Sequence, residues 1–535
     1  MYKTGAELVR YGLEQLNIAH CFATVSDYNH ELYHQLSLST SLRTHKVNHQ
    51  LSATFMADAL SRTSYHGKTG VILTTTDKIV VEGIAEAYIS GIPLLVIAGS
   101  NSNNSINGID PQLLLKPVTK ACFRVTQLED IVNTAFDAQT IATSNKPGPV
   151  LIEISTALQS QGDKLSQPLP EYPQCADNAA MDQQQDISID TILNAETPCI
   201  LVGWGAIDAH SDIIAVAETI AAPVCSVLAG NSAFAAEHPL HAGLMHAPVA
   251  KRVLKHCDCL LVIGAESATL DKSELPKPLF HVTLATLANL VDQLKVLQLE
   301  PRDNQPIVKA IAKNKRQLRQ DWLEHNSKGR VNPIVFFDAL ANSVQDDATI
   351  VTGYGVHRGL TAELLPINRP RGFISPSSAG ASGYCVPAVN AIKLANPHKQ
   401  VIGIVSDDAM IINAMEVVVA VREKLGAIYC LLNSSHQHAD NESSPVNWGA
   451  FADAMDCGYF PIEDNHNIDI IIRRAFETAA QGQPVILDIH IDSSRNSYYT
   501  EYQREKTQLM TSAGENTLSL VKRAIARKIS GKETH

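Results

Sequence analysis

The sequence lacks clustered basic residues and any apolar run long enough to cross a membrane. It has 43 Lys and Arg residues against 55 Asp and Glu residues, which gives a formal net charge of -12 over 535 residues. Binding to nucleic acid relies on clustered cations that neutralise phosphates, and a membrane helix needs about 20 consecutive apolar residues. The composition therefore argues against a nucleic-acid partner and against a membrane partner.

A secretory signal and a disulfide framework are also missing from the pattern. Glu7, Arg10 and Glu14 interrupt the apolar region that a signal peptide would need, and they predict an amphipathic helix. The ten cysteines are scattered rather than regularly spaced. We therefore expect free buried thiols and a reducing, cytoplasmic location.

One cluster suggests a metal site at first sight. His256, Cys257 and Cys259 are close in sequence, but they lead directly into the apolar run Leu260–Ile263. A zinc site would need a second pair of ligands. A buried strand is the favoured interpretation.

Apolar runs alternate with helical patterns along most of the chain. Hydrophobic residues make up 45% of the composition, and the length predicts several domains. Strands separated by helices indicate parallel sheets covered on both faces. The pattern predicts an α/β protein of three doubly wound domains, with a polar linker near 160–188, a bridging helix at Lys313–His325 and a basic helix at Thr517–Lys528.

Gly203 and Gly205 follow an apolar run and suggest a dinucleotide-binding turn. The third glycine of that motif is absent, and no acidic residue at the end of a following strand is obvious. A tight turn between a strand and a helix is favoured, and FAD binding is unlikely.

Several segments keep one order along nearly the whole chain. The cofactor-like segment is Ser406-Asp407-Asp408, followed after a helical stretch by Asn433-Ser434. The other segments are His49-Gln50 with the Ala-rich stretch 53–62, Ile84–Tyr88 with Ile92-Pro93-Leu94, and the glycine-rich turn 379–387 with 393–397. On these segments the chain is identified as a member of the thiamine diphosphate enzymes of the acetolactate synthase type.

The resemblance implies the domain roles. Residues 1–165 would be a pyrimidine-binding-like domain, 189–312 a central Rossmann-like domain and 330–495 a diphosphate-binding-like domain, with a tail at 496–535. Cofactor contacts carried over from the family fall on His357, Gly380, Ser382, Ser406, Asp408 and Asn433. Metal ligands fall on Asp407, on Ser434 and on the backbone carbonyl of His436.

The resemblance also exposes departures from the family. Gln50 occupies the position of the catalytic glutamate, and an amide cannot transfer a proton at neutral pH. Ser434 replaces a carboxamide metal ligand, and Asp408 stands where a glycine lets the cofactor approach. Ser382 replaces a bulky apolar residue, and Val356 replaces a polar one.

Two loops of the first domain also differ from the family. Side chains at Ala23–Asp27 and at Thr75–Lys78 replace turns in which glycine lets the backbone approach a ligand. Thiamine diphosphate and magnesium binding are therefore doubtful.

Two functional hypotheses follow. A non-catalytic or chemically altered paralogue is favoured over an active carboligase or decarboxylase of 2-oxo acids. The family implies a homodimer or homotetramer that takes a small-molecule ligand, and a catalytic paralogue is a further candidate partner. Purely structural roles remain open: Asp407 and Asp408 as helix caps, Gln50 as an ordinary helix start, and His357 as a surface residue.

Overall fold

The structure is a computed structural model that describes residues 2–64, 69–76, 81–101, 110–164, 168–173, 189–265, 275–276, 278–298, 301–376, 381–434 and 446–511. Side chains are described as far as residue 506. Within these residues no helix is long and apolar enough to cross a membrane. The predicted basic helix at Thr517–Lys528 lies outside the described residues.

The first domain holds a six-stranded sheet, in which every neighbouring pair of strands is parallel, in the order β3-β2-β4-β5-β7-β6. Six strands form this sheet: β2 His20–Ala23, β3 Arg43–Lys46, β4 Gly70–Thr75, β5 Leu94–Ser100, β6 Ala121–Val125 and β7 Pro149–Ser155. The domain has two further strands, β1 Tyr2–Thr4 and β8 Gly162–Lys164. Its helices are α1 Gly5–Gln15, α2 His30–Ser37, α3 Gln50–Thr63, α4 Val81–Ser90, α5 Pro111–Leu115, α6 Ile131–Thr143 and α7 Thr156–Ser160.

The ends of the first domain are held together by a small second sheet. Strand β1 pairs antiparallel with β8, which begins inside the segment predicted as a linker. The prediction of a linker from residue 160 was therefore wrong for Gly162–Lys164. Helix α1 then begins with a capping box, in which Thr4 Oγ1 accepts the Glu7 N–H and Glu7 Oε2 accepts the Thr4 N–H.

The central domain is built on five parallel strands in the order β11-β10-β9-β12-β13. These are β9 Pro198–Val202, β10 Val224–Ser226, β11 His241–Leu244, β12 Cys259–Ile263 and β13 Leu279–Val282. The helices are α8 Ile189–Asn194, α9 His210–Ile220, α10 Pro248–His256 and α11 Leu284–Val296, and α12 Gln305–Leu323 leads to the third domain. Strand β12 confirms the preference for a buried strand at Cys259.

The third domain again has six strands with parallel neighbours, in the order β15-β14-β16-β17-β19-β18. Its strands are β14 Thr349–Thr352, β15 Phe373–Ile374, β16 Val401–Ser406, β17 Ile428–Leu432, β18 Gly458–Ile462 and β19 Val485–Ile489. Its helices are α13 Pro333–Ala341, α14 Val356–Leu364, α15 Cys385–Ala395, α16 Asp407–Asn413, α17 Val417–Arg422, α18 Trp448–Ala454, α19 Ile468–Ala480 and α20 Tyr498–Thr511. Between α16 and α17 the chain forms a 3-10 turn, Ala414–Glu416.

The first and third sheets have the same topology. When the strands of the parallel sheet are counted within each domain, both orders read 2-1-3-4-6-5. The helix after the second strand is α3 in one domain and α15 in the other, and these two helices pack against each other. The rings of Phe55 and Tyr384 meet edge to face with centroids 5.2 Å apart, so one core continues from the first domain into the third.

The central domain joins this core through a buried cation cluster. Arg62 is fully buried, and its guanidinium lies 5.3 Å from the centroid of the Trp204 ring. Arg371 lies 5.7 Å from the same centroid and pairs with Asp208 at 2.6 Å. Trp204 of the central domain therefore contacts a side chain from each of the other two domains.

Candidate functional site

The carboxyl edge of the third sheet has a topological switch point between β14 and β16. The chain leaves β14 toward one side of the sheet and β16 toward the other, because β15 and β17 lie on opposite flanks. In open parallel sheets, ligands bind in the crevice at such a reversal. The residues that follow Thr352 and Ser406 are therefore the first candidates for a binding site.

Helix α14 begins at this switch point. Its N-cap, Gly355, has φ +148°, a conformation that side chains disfavour. A Cβ at Gly355 would lie 2.6 Å from Cε1 of His357 and 3.6 Å from Oγ of Ser406. Glycine therefore allows the first turn of α14 to approach the turn between β16 and α16, where its free N–H groups suit an anion.

His357 lies in that first turn and is only 1% exposed. The alternative that it is an ordinary surface residue was wrong. Burial, together with the charge of Arg358, lowers the pKa of His357 to about 3, so the ring is neutral. Neither ring nitrogen makes a hydrogen bond of good geometry to a described residue, although the backbone of Gly353 lies near enough to favour the charged ring and so to raise its pKa. Buried polar atoms of this kind are uncommon, and they are consistent with a polar ligand at this edge.

Helix α16 begins at Asp407, directly after β16. Its cap is Ser406, whose Oγ accepts the Ala409 N–H at 3.4 Å. Asp407 is buried and Asp408 is exposed, both in the first turn. Neither aspartate is the N-cap, although both favour the positive end of the helix dipole. Two carboxylates at one helix start would repel a diphosphate unless a cation lay between them.

Asn433 lies beside Asp407 because of the strand register. Ser406 pairs with Leu432 across β16 and β17, so the next residue of each chain segment emerges at the same edge. Nδ2 of Asn433 donates to Oδ1 of Asp488 at 3.0 Å, and Oδ2 of Asp488 accepts the Tyr459 hydroxyl at 2.8 Å. Because the side-chain nitrogen of Asn433 faces Asp488, the side-chain oxygen Oδ1 of Asn433 points away from Asp488.

Three further residues were predicted for this group, and the structure describes one of them. Ser434 follows Asn433 and is half-buried. His436 and Gly380 lie outside the described residues, so the predictions for them stay predictions. The structure therefore brings together one set of predicted residues at the switch point: His357, Ser406, Asp407, Asp408, Asn433 and Ser434.

Gln50 is placed elsewhere in the same chain. It is the first residue of α3, capped by His49, whose Nδ1 accepts the Leu51 N–H at 3.2 Å. Two residues further on, Oγ of Ser52 lies 3.4 Å from Oδ1 of Asn413, the last residue of α16. Six residues of helix separate Asn413 from Asp407, which is about 9 Å. A single chain therefore holds Gln50 and Asp407 at opposite ends of α16.

Ser382 lies near the Gln50 end rather than the Asp407 end. The next residue, Gly383, has φ +79°, and its carbonyl accepts Nδ2 of Asn413 at 3.0 Å. A Cβ at Gly383 would lie 2.8 Å from that nitrogen, so only glycine fits without a shift. Ser382 and Gln50 thus flank the C-terminal end of α16, apart from the switch-point residues.

Glu416 is a further titratable residue at this end of α16, and no motif of the sequence pointed to it. This glutamate is 2% exposed, and burial raises its pKa to about 7 although Ser52 and the backbone of His49 hydrogen-bond the carboxylate. It therefore provides a titratable carboxyl group beside the start of α3. A signal was present in the sequence, because Glu416 is a single charge that precedes the apolar run 417–421.

Chain packing explains why Gly203 and Gly205, the glycines of the dinucleotide-like turn, are glycines. A Cβ at Gly203 would lie 2.3 Å from the carbonyl oxygen of Gly264, and Gly205 also backs onto Gly264. A 3-10 turn follows, Trp204–Ala209. This geometry agrees with the tight turn that the sequence favoured.

Helix α20 packs against the central domain. Its Tyr502 stacks on His246, which follows β11, with ring centroids 3.6 Å apart.

The fold and the site define a three-domain α/β protein whose first and third sheets share one topology. In the third sheet, Asp407 and Asn433 lie side by side at the carboxyl edge. Family comparisons agree along the chain. Residues 3–120 match the thiamine pyrophosphate enzyme N-terminal TPP binding domain, 187–286 the central domain, and 353–489 the C-terminal TPP binding domain. The chain belongs to the thiamine pyrophosphate enzyme family.

Its curated relatives include acetolactate synthases. The acetolactate synthase large subunit of Buchnera aphidicola (subsp. Acyrthosiphon pisum) is 25% identical, over 98% of this chain and 99% of the relative. The acetolactate synthase isozyme 1 large subunit of Escherichia coli is 27% identical, over 81% of this chain and 82% of the relative. A chloroplastic acetolactate synthase of Arabidopsis thaliana is 25% identical, over 81% and 70%. The chain is therefore acetolactate synthase-like over nearly its whole length.

Proposed function

We propose that the protein is a paralogue of acetolactate synthase that is non-catalytic or has altered chemistry. The observation that carries this proposal is Gln50 at the first position of α3, where the family resemblance places a glutamate. A carboxamide cannot transfer a proton at neutral pH. Loss of a general acid or base typically costs about 10²- to 10⁴-fold in rate.

The switch-point residues fit a cofactor only in part. Asp407 and Asn433 offer adjacent oxygen atoms of the type that magnesium prefers, and Ser434 offers a weaker one. When bound, thiamine diphosphate would supply a nucleophilic carbon for addition to a 2-oxo acid. The residues that would hold it are His357, Ser406 and the first turn of α14. Weak binding of thiamine diphosphate and magnesium is therefore part of the proposal, and FAD is not.

A homodimer or dimer of dimers is also part of the proposal. The family resemblance implies a cofactor site between the first domain of one subunit and the third domain of another, and within one chain Gln50 and Asp407 lie at opposite ends of α16. Apolar side chains near the site support such an interface: Ile411 and Ile412 are each 50% exposed, Met415 is 58% exposed and Val356 is 47% exposed. Exposed apolar residues that lie close together often mark a protein interface.

The cellular setting that we propose is the reducing cytoplasm. All nine cysteines among the described residues are free, and eight of them are buried. If the protein is non-catalytic, we propose that it pairs with an active paralogue.

An active 2-oxo acid carboligase or decarboxylase is the second candidate, and one observation favours it. Glu416 lies against the start of α3, and its pKa of about 7 suits proton transfer at neutral pH. Its Oε2 has no hydrogen-bond partner among the residues that the structure describes. In this version Glu416 would hold the proton that Gln50 cannot.

The test is calorimetric titration of the full chain with thiamine diphosphate in magnesium, together with acetolactate formation from pyruvate. We expect weak binding and turnover at least about 100-fold below an acetolactate synthase assayed in parallel. Gln50→Glu alone should not restore turnover. The triple variant Gln50→Glu, Asp408→Gly, Ser434→Asn should bind the cofactor more tightly, because it removes a charge and returns a carboxamide ligand.

Tight binding with steady turnover by the unmodified protein would overturn the proposal. Glu416→Gln then tests the second candidate. If Glu416 carries the proton, this variant should lose turnover while it keeps the cofactor affinity.

A further inference from the structure

A cavity of about 210 Å³ lies where β11 of the central domain, α12 and α14 meet. Its wall is largely apolar and includes Leu244, Leu318 and Leu364. Gly243 also lines it, with φ +88°, and a Cβ built there would meet no atom within 4 Å. The cavity is therefore open at Gly243, and it adjoins the C-terminal end of α14, away from His357.

The cavity contains a cation without a counter-ion. Nζ of Lys315 contacts the carbonyl oxygen of Ala236 at 3.0 Å and Nδ1 of His241 at 3.2 Å. Among the described residues no carboxylate lies within ion-pair distance of Lys315. Burial lowers the pKa of Lys315 to about 8, so the group is still mainly charged at neutral pH. Lys315 is half-buried, and withdrawing a charge from water even in part costs free energy unless the charge is paired.

His241 does not supply the missing charge. It is 8% exposed, and burial together with Lys315 lowers its pKa to about 3. A neutral ring that accepts from Lys315 through Nδ1 must carry its proton on Nε2. Nε2 has no partner in the described part of the chain. The cavity wall thus holds an unpaired ammonium next to a histidine that has an unused N–H group.

Two other titratable groups of the cavity wall are Arg319 and Glu363, and Oε2 of Glu363 has no hydrogen-bond partner among the described residues. The guanidinium of Arg319 pairs with both carboxylate oxygens of Asp338, so it contributes no net charge. Oε1 of Glu363 accepts the backbone N–H of Tyr499 at 2.8 Å. Burial raises the pKa of Glu363 to about 7, so it is only partly ionised at neutral pH. Lys315 remains the unmatched charge.

We propose that this cavity binds a short aliphatic monocarboxylate, with the carboxylate on Lys315 and the alkyl chain against the leucine wall. One negative charge would complement one cation, and the apolar wall excludes a fully polar anion such as phosphate as the preferred ligand. The volume is below the 300 to 1,000 Å³ that is typical of drug-sized ligands, which restricts the ligand to a small molecule. Because α12 and α14 both line the cavity, the ligand would bridge the central and third domains.

Calorimetric titration of the full chain with isobutyrate tests the proposal, with isobutyramide as the neutral isostere and inorganic phosphate as the polar anion. We expect binding of isobutyrate and at least tenfold weaker binding of the other two. Lys315→Met should weaken isobutyrate binding about tenfold to a hundredfold, as expected for loss of one hydrogen bond to a charged group. Lys313→Met, at an exposed position of the same helix, is the matched control and should bind like the unmodified chain.

Lys315→Met also removes a half-buried charge that has no ion-pair partner among the described residues, so the variant should fold at least as stably as the unmodified protein. A second variant, Ala362→Leu, keeps Lys315 but fills part of the cavity, and it should also weaken isobutyrate binding. Equal binding of isobutyrate and isobutyramide, a preference for phosphate, or undiminished binding by Lys315→Met would each overturn the proposal. None of these measurements depends on cofactor binding or on turnover.

Discussion

The hydroxyl of Tyr384 in the third domain donates to Oδ1 of Asp58 in the first domain at 2.7 Å, and both side chains are fully buried. The same carboxylate oxygen accepts Nε of Arg62 at 2.6 Å, and Arg62 reaches Glu86 at 3.1 Å. Because Tyr384 directly precedes α15 and the other three residues lie on α3 and α4, this network ties the two related domains together.

We predict that Tyr384→Phe destabilises the protein. It keeps the ring that packs on Phe55 but removes a donor from a buried carboxylate, which typically costs about 1 to 3 kcal/mol. Equilibrium denaturation should show a lower free energy of unfolding. Tyr33→Phe, at a half-buried position of the first domain, is the control. An equal, small effect of both changes would show that the hydroxyl of Tyr384 is not important for stability.

A second prediction concerns pH. The pKa values of Glu416 and Glu363 are each raised to about 7, above the usual value near 4.5. A carboxyl group with a raised pKa in the folded state stabilises the fold below pH 4.5, and that contribution is lost as pH rises toward 7. Glu416→Gln should therefore reduce the decrease in the free energy of unfolding between pH 4.5 and 7 by roughly 1 to 3 kcal/mol.

Unfolding of Glu416→Gln should be measured between pH 4.5 and 8, where the variant should be more stable than the unmodified protein at the upper end. Glu129→Gln, at an exposed glutamate that forms no ion pair among the described residues, serves as the control. A parallel profile for Glu416→Gln and the unmodified chain would contradict the prediction.

The proposed dimer predicts that Met415→Asp weakens self-association. Met415 is 58% exposed and follows the two exposed isoleucines of α16, so a charge there would be desolvated in an interface. Sedimentation should then show more monomer than in the unmodified chain at micromolar concentration. Val296→Asp, at an apolar position that is 81% exposed on α11, should leave association unchanged. A stable monomer before any substitution would remove the proposal of a dimer.

Asp408 distinguishes the two functional candidates. In the non-catalytic version its exposed carboxylate repels a diphosphate, so Asp408→Ala should tighten thiamine diphosphate binding severalfold, measured by calorimetry with magnesium held constant. In the active version Asp408 would help to hold the metal, and the same variant should lose binding. Asp453→Ala, at an exposed position of α18, should change neither result.

The local pattern of the sequence was enough to predict the interior strands. Strand β12 contains the apolar run Leu260–Ile263, because a strand buried on both faces is a continuous apolar run. Strand β3, Arg43–Lys46, lies at a sheet edge and consists of polar residues. An edge strand is partly open to solvent, so it leaves no such apolar run.

For the candidate site, the sequence by itself determined which chemical groups are present: a carboxylate at Asp407, a carboxamide at Asn433 and an amide at Gln50. Strand register then placed Asp407 next to Asn433, as parallel strands require. Only the tertiary structure decided that Gln50 lies at the far end of α16 and that Glu416 lies beside the start of α3. The physical reason is that these positions follow from the packing of α3 on α15, a contact between distant segments that no local pattern of residues encodes.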